Sequence, residues 1–331
     1  MKQMWKEITI AAFLGLILPS ILLSLAVRNQ EEAKQPVASL TTTAVTEWIA
    51  PTEPQNDTVK VAVLDDGQWR TLAMEDYLVG VVLAEMPVSF EAEAHKAQAV
   101  VARTYALKNS TSIRKHNGGV CTDATCCQGY LSVSEFLESG GTPEELSRVE
   151  TAVAATKNLV LTYHGELIEA TYFSCSGGYT EDAVAVWGTD IPYLQSVESP
   201  GEEHATHYSD SVRFTAEEFA GALGLESLGA PNQWFGAVQK TAGGGVELME
   251  ICGTSYKGTT LRQLLGLRST AFSVEADATG VTVITKGYGH RVGMSQYGAD
   301  AMAASGATFQ EILQYYYQGT ELTAYTGNQM S

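Results

Sequence analysis

Basic side chains are scarce in this sequence of 331 residues: 20 Lys and Arg face 38 Asp and Glu, a net charge of −18. That is the wrong sign for a protein that gains affinity by neutralising phosphates, and it excludes nucleic acid as a partner. It also repels anionic lipid headgroups, so any membrane association has to come from apolar surface. Internal repeats are missing, regular βαβ periodicity is missing, and low-complexity sequence is confined to residues 29–56. Cysteine is sparse and odd in number, five in all with three inside seven residues, which does not make an ordinary disulfide framework. What the chain does have is 45% apolar residues, enough for a core in one large or two modest domains, and this rules out global disorder.

Charged side chains are absent from residues 8–27. The run matches the roughly 20 residues a helix needs to cross a bilayer and exceeds a secretory h-region of about 7 to 15. A small-x-small triplet at Ser24 to Ala26 leaves a cleaved signal as the alternative; either way the chain is exported. Lys2 and Lys6 precede the run, whereas Arg28 is followed by Glu31 and Glu32, so the N-terminus faces the cytosol. The expected organisation is a cytoplasmic tail (1–7), a single-pass transmembrane anchor (8–27), a stalk (28–56), an extracytoplasmic folded region (57–320) and a C-terminal tail (321–331). The stalk is rich in Thr, Gln, Glu and Ala, contains Pro36, Pro51 and Pro54, and has no apolar period.

In the folded region, residues 58–64 and 69–74 flank Asp65-Asp66-Gly67 as a hairpin. Residues 76–84 and 91–109 carry apolar side chains at helical spacing, and Pro87 disfavours helix at Met86, so Glu85 stands at a helix end. A helix is expected over 143–156 and a second hairpin over 159–163 and 166–173. Farther on, 216–223 and 261–265 read as helices, and 246–251, 272–275 and 281–285 as strands. Helices interleaved with antiparallel hairpins indicate an α+β fold.

Four segments carry candidate chemistry. Glu85 sits in Val81-Val82-Leu83-Ala84-Glu85-Met86-Pro87. Apolar neighbours would desolvate its carboxylate, raise its pKa and suit it to general acid catalysis; the alternative is a helix-terminal Glu pointing to water. Arg103 and Tyr105 follow in an Ala-rich helix. Arg103 needs a partner and Glu85 is one candidate, although a guanidinium would lower that carboxyl's pKa. Next, His116, Cys121, Cys126 and Cys127 lie within twelve residues and match a closed Cys3His zinc site, structural because four protein ligands leave no place for water. A disulfide from Cys121 to Cys126 or Cys127 is the alternative, and adjacent cysteines share an ion only if the backbone turns sharply.

Third, Tyr172, Ser174 and Ser176 alternate on an expected strand face, whose ring and hydroxyls suit a sugar, while Cys175 reads as a buried small apolar side chain rather than a nucleophile. Fourth, the glycines of Gly287-Tyr288-Gly289-His290-Arg291-Val292-Gly293 depart from the dinucleotide fingerprint, so no nucleotide cofactor is expected. They permit close backbone approach, with His290 either donating to a substrate or tying the loop together. No second carboxylate shares the apolar frame of Glu85, although ordinary glycosidases use two.

Together these segments resemble the stage II sporulation protein D family, also called the amidase-enhancer domain family. The resemblance rests on the apolar N-terminal run, Glu75-Asp76-Tyr77-Leu78 leading to Ala84-Glu85-Met86-Pro87, and Lys96-Ala97-Gln98-Ala99 with Ala102-Arg103-Thr104-Tyr105-Ala106. It continues through Tyr172-Phe173-Ser174-Cys175-Ser176-Gly177-Gly178 and Gly289-His290-Arg291-Val292-Gly293-Met294-Ser295-Gln296-Tyr297-Gly298-Ala299, in order over residues 58–320.

The resemblance implies a lytic transglycosylase that cuts the β-1,4 bond between N-acetylmuramic acid and N-acetylglucosamine in peptidoglycan, with Glu85 as catalytic acid. The muramyl C6 hydroxyl is then the nucleophile, the product closes as a 1,6-anhydro sugar, and no second carboxylate is needed. Arg103, Tyr105, Tyr172, Ser176 and His290 would line the glycan groove, and His116, Cys121, Cys126 and Cys127 would hold a structural zinc. Arg291 stands where the family's string leads one to expect glycine, adding bulk and charge beside the groove. The implied setting is septal peptidoglycan remodelling and engulfment during sporulation, at the mother-cell membrane facing the septum. The implied partners are peptide-stripped glycan strands, a sporulation amidase (stage II sporulation protein P) and the integral-membrane stage II sporulation protein M. A non-catalytic peptidoglycan-binding module that stimulates an amidase is the alternative; an exported zinc hydrolase would need an open metal site.

Overall fold

Strands β1 (Lys60–Asp65) and β2 (Gln68–Ala73) pair antiparallel, with Asp65 opposite Gln68. Asp66 and Gly67 take φ of 46° and 77°, the left-handed pair that a two-residue hairpin turn requires. This computed structural model describes residues 59–110, 116 and 118–325. The expected cytoplasmic tail, anchor and stalk lie outside the described residues. Among those described, no helix is long and apolar enough to cross a membrane.

Helix α1 (Met74–Glu85) follows directly and stops where expected, because Met86, ahead of Pro87, is extended at φ −122° and ψ 140°. Helix α2 (Ala92–Ser110) is buried around most of its circumference, as its small side chains allow. Strand β3 (Val120–Cys121) adds to β1 in parallel. Helices α3 (Val133–Glu138) and α4 (Pro143–Ala155) each start in a capping box, Ser132 with Glu135 and Thr142 with Glu145. Strands β4 (Leu159–Tyr163) and β5 (Glu166–Leu167) form the second hairpin, but β5 is only two residues long. The expected strand to residue 173 does not continue it: β6 (Tyr172–Phe173) pairs instead in parallel with Met294–Ser295. Short helix α5 (Ala183–Trp187) ends at Gly188 in the left-handed conformation.

A separate lobe follows: β7 (Ser209–Thr215), α6 (Ala216–Leu223), β8 (Phe235–Lys240), β9 (Val246–Ile251), β10 (Thr254–Lys257), α7 (Gly258–Leu264), β11 (Phe272–Asp277) and β12 (Gly280–Lys286). Its two antiparallel sheets, in orders β10-β9-β8 and β11-β12-β7, share a core with Phe219, Trp234, Met249, Ile251 and Leu261. The chain returns through β13 (Met294–Ser295), α8 (Gln296–Ala304), α9 (Phe309–Tyr316) and β14 (Glu321–Ala324). Because β14 pairs with β4, residues 321–324 belong to the folded body and not to the expected C-terminal tail.

Helix α2 divides the rest of the interior. Ala94, Ala97 and Val101 belong to one cluster with Ile312, Leu313 and Tyr316 of α9, while Ala99, Ala102 and Ala106 belong to another with Val81 and Val82 of α1 and Val153 of α4. Each fully buried Val or Leu there contributes about 1.5–3 kcal/mol. These contacts hold the C-terminus of α1 rigidly in place. The class is α+β, its sheets antiparallel apart from the two-residue parallel pairings of β3 and β6.

Candidate functional site

Helix α1 delivers Glu85 to a cleft of about 1420 Å³. A site for a small molecule occupies roughly 300–1,000 Å³, so this cleft suits an extended ligand. The turn beyond the helix is fixed by buried His95, whose Nε2 donates to the Pro87 carbonyl at 3.0 Å. The Gly129 N–H donates to Glu85 Oε1 at 2.5 Å, and a Cβ on residue 129 would lie only 3.0 Å from that oxygen. The hydroxyl of Tyr172 and the amide of Gln296 face the same carboxyl. Gln128 Nε2 donates to the Tyr172 hydroxyl at 3.1 Å, leaving the Tyr172 proton for Glu85. These donors favour the carboxylate and burial favours the acid. Burial is the larger influence, and the pKa of Glu85 is raised above the ordinary carboxyl value. This is not a helix-terminal Glu that merely points to water.

Tyr105, Tyr172 and His290 line the same cleft. Burial raises the pKa of both tyrosines. His290 Nδ1 accepts from the Val292 N–H at 3.1 Å and its ring also bonds the Tyr172 backbone, while burial and nearby Arg262 lower its pKa to about 4. His290 is therefore neutral at pH 7 and ties its loop to β6 while bordering the cleft.

Three sequence-based placements differ from the structure. Arg103 is 1% exposed and lies outside the cleft lining, with Nη2 2.7 Å and Nε 3.3 Å from the Glu75 carboxylate and Nη1 donating to the Leu159 carbonyl at 3.1 Å. Its partner is Glu75, so the pKa of Glu85 escapes the lowering that a guanidinium would cause. Ser176 is buried, and its hydroxyl and N–H both donate to Glu202 Oε2, at 2.9 and 2.6 Å. Strand β6 ends at Phe173, so the alternation that would carry Ser176 to the groove breaks off, and Ser174 is the serine that reaches the cleft. Arg291 is not beside the groove. It is 1% exposed, pairs with Glu181 at 3.1 Å, and donates to the carbonyls of Ser176, Tyr179 and Gly243. Cys175 is buried, as expected, its thiol pushed up to about 12 by burial and by Glu202.

All five cysteines are free thiols, so the disulfide alternative is not realised. The ligand atoms of His116, Cys121, Cys126 and Cys127 lie within 4.8 Å of one another, a cluster that can hold a metal ion. The Asp123 carbonyl accepts from the N–H groups of both Cys126 and Cys127, at 3.0 and 2.8 Å, and this is the sharp turn that adjacent ligands require. Burial and the neighbouring thiols push Cys127 up to about 11. A bound cation would reverse that by favouring the thiolates, so the donor set fits a soft divalent ion such as zinc. The cluster leads straight into the site: Cys126 and Cys127 border the cleft, and Gln128 and Gly129 hold Tyr172 and Glu85.

Gln128, Gly129, Gln296, Trp187 and Arg262 are absent from the sequence-based set. Gln128 and Gly129 directly follow the cysteine pair, and Gln296 lies within the Met294-Ser295-Gln296-Tyr297-Gly298 string, so position gave some signal for them. Nothing local marks Trp187 or Arg262, which come to the cleft through tertiary packing.

A family model described as SpoIID, Stage II sporulation protein, matches residues 66–163. The chain is 37% identical to Stage II sporulation protein D of Bacillus subtilis (strain 168), over 98% of this chain and 96% of that protein. It is 40% identical to Stage II sporulation protein D of Bacillus amyloliquefaciens, over 76% of this chain and 74% of that protein. With the Amidase enhancer of Bacillus subtilis (strain 168) it shares 31% identity, over 75% of this chain and 40% of that protein. The chain belongs to the stage II sporulation protein D family.

Proposed function

We propose that this protein is a membrane-anchored peptidoglycan lytic transglycosylase that cuts the N-acetylmuramic acid-β-1,4-N-acetylglucosamine bond of peptide-stripped strands in sporulation. The observation that carries the reading is Glu85: a carboxyl raised in pKa by burial, in a cleft whose volume of about 1420 Å³ has room for a glycan segment, with hydrogen-bond donors already set around it. Among the described residues the other carboxylates lining the cleft are Glu166 and Glu169, and Glu169 is paired with Lys108 at 3.6 Å. Hydrolysis by the usual route needs two cooperating carboxyls, whereas intramolecular attack needs one that acts twice. Glu85 donates its proton to the glycosidic oxygen as the bond to the muramyl anomeric carbon breaks. Its carboxylate, then stabilised by Gly129 N–H and the Tyr172 hydroxyl, accepts the proton of the C6 hydroxyl as that oxygen closes on the anomeric carbon. Atoms balance without water.

Zinc held by His116, Cys121, Cys126 and Cys127 would fix the loop that presents Gln128 and Gly129; four protein ligands leave it no open position for chemistry. Residues 8–27 would anchor the protein, with residues 57–324 as the extracytoplasmic catalytic region at the mother-cell membrane. The sporulation amidase that strips peptides, stage II sporulation protein P, and the integral-membrane stage II sporulation protein M would be its partners.

The second reading, a non-catalytic amidase enhancer, is favoured by the name of one relative. Incubating the full chain, intact and as Glu85→Ala, with peptide-free strands separates the two. Anhydro-muramyl ends from the intact protein only support the transglycosylase. Bound but uncut strands with both proteins support the enhancer.

A further inference from the structure

Among the described residues, two cations line the cleft, Lys108 and Arg262. Lys108 is engaged, its Nζ 3.6 Å from Glu169 and donating to the Leu167 carbonyl at 2.7 Å. Arg262, on α7, bonds through Nε to the Leu267 carbonyl at 3.3 Å, and among the described residues it has no carboxylate partner. A partly buried guanidinium without a counter-charge is unfavourable, and in a chain of net charge −18 a cation left unpaired in a cleft calls for a ligand. The same cleft is lined by exposed aromatic rings. Tyr288 is 41% exposed and is backed by the Arg268 guanidinium, 5.3 Å from its ring, and by His207 at 5.1 Å. Trp187 is 43% exposed, its ring 5.5 Å from His290. Arg268 itself is paired with Asp210 at 2.6 Å, which leaves Arg262 as the free fork.

We propose that Arg262 is the carboxylate-docking residue of the cleft, with Tyr288 and Trp187 stacking on the sugar that carries the carboxylate. The inference rests on the glycan reading above and deepens it. A muramyl lactyl group joined to peptide is an amide and uncharged at that carbonyl; once the peptide is removed it is a carboxylate, ionised at neutral pH. A guanidinium fork pairs with the two oxygens of a carboxylate in a bidentate ion pair, whereas an amide offers it one neutral carbonyl oxygen and no counter-charge, while sugar CH faces pack on aromatic rings. Arg262 thus gives the cleft a physical means of selecting stripped strands.

The test uses the full chain in detergent with two probes: peptide-free glycan strands with free lactyl carboxylates, and the same strands after conversion of those groups to methyl amides. Affinity is measured by calorimetry in the Glu85→Gln background and product formation in the intact protein, each with and without Arg262→Ala or Arg262→Lys. The acid strands should bind about tenfold or more tightly than the amide strands, the value of a charge-assisted hydrogen bond. Arg262→Ala should abolish that preference by weakening acid-strand binding more than amide-strand binding, an unchanged circular dichroism spectrum and Tm showing that the variant is folded, and Arg262→Lys should restore part of it. Equal affinities for the two probes, or a preference that survives Arg262→Ala, overturn the assignment, and anhydro products in that case leave the transglycosylase standing. An Arg262-dependent preference without anhydro products supports the docking role and overturns the transglycosylase. No binding of either probe overturns both.

Discussion

Replacing Arg291 with glycine should destabilise the fold and leave the cleft's affinity for glycan unchanged. Two effects oppose each other. Removing one partner of a buried ion pair costs about 3–5 kcal/mol, and here it strands Glu181, which is fully buried, as well as the carbonyls of Ser176, Tyr179 and Gly243. In favour of glycine, Arg291 sits at φ 66°, a left-handed conformation that costs a residue with a Cβ about 1–2 kcal/mol. The freer unfolded chain of glycine takes back about 0.5–1 kcal/mol of that relief. The pair wins, with a net loss of about 1.5–5 kcal/mol, or roughly 3–20 °C in Tm for a body of this size. Denaturant unfolding followed by circular dichroism measures the loss. A second substitution, Glu181→Gln, should recover at least about 1 kcal/mol in the Arg291→Gly background, because it removes the stranded charge. An Arg291→Gly variant as stable as the parent would refute the reasoning, as would a double variant less stable than the single one.

Glu85→Gln should be more stable than the parent at pH 8. Burial raises the folded pKa of Glu85, so the native state holds the proton more tightly and loses stability as pH rises above the unfolded carboxyl value of about 4.3; Gln escapes that cost. The Tm difference should therefore close toward pH 4, and a difference independent of pH would contradict the assigned electrostatics. The purified chain should contain zinc equimolar with protein, and its removal by a chelator, or Cys121→Ser, should lower Tm and speed proteolysis around residues 118–130. Metal-free protein with unchanged Tm would contradict a structural zinc. His95→Ala should release the Pro87 carbonyl and lower turnover by misplacing Glu85, with glycan affinity maintained; equal loss of both would point to general unfolding.

Much of this was legible where the physics is local. Asp66-Gly67 names its turn through the positive φ it must adopt, and Pro87 ends α1 at Glu85 by steric exclusion at Met86. The spacing of His116 and the three cysteines brought out the cluster, and the turn at Asp123 shows how neighbours Cys126 and Cys127 can both serve it. Long-range pairing was not legible. The run to Phe173 has good strand composition, yet its partner is Met294–Ser295, and that choice decides that Ser174 rather than Ser176 reaches the cleft. Arg103 visibly needed a carboxylate, but composition could not choose between Glu75 and Glu85. Arg291 looked like added charge at a glycine position; Glu181, more than a hundred residues earlier, turns it inward.

The most direct test of the role given to Glu85 is glycan cleavage in water enriched in oxygen-18, with mass spectrometry of the new ends. Intramolecular attack predicts anhydro-muramyl ends without the heavy isotope from the intact protein, and no cleavage by Glu85→Gln. Heavy oxygen in new reducing ends, or undiminished anhydro product from Glu85→Gln, would contradict the account.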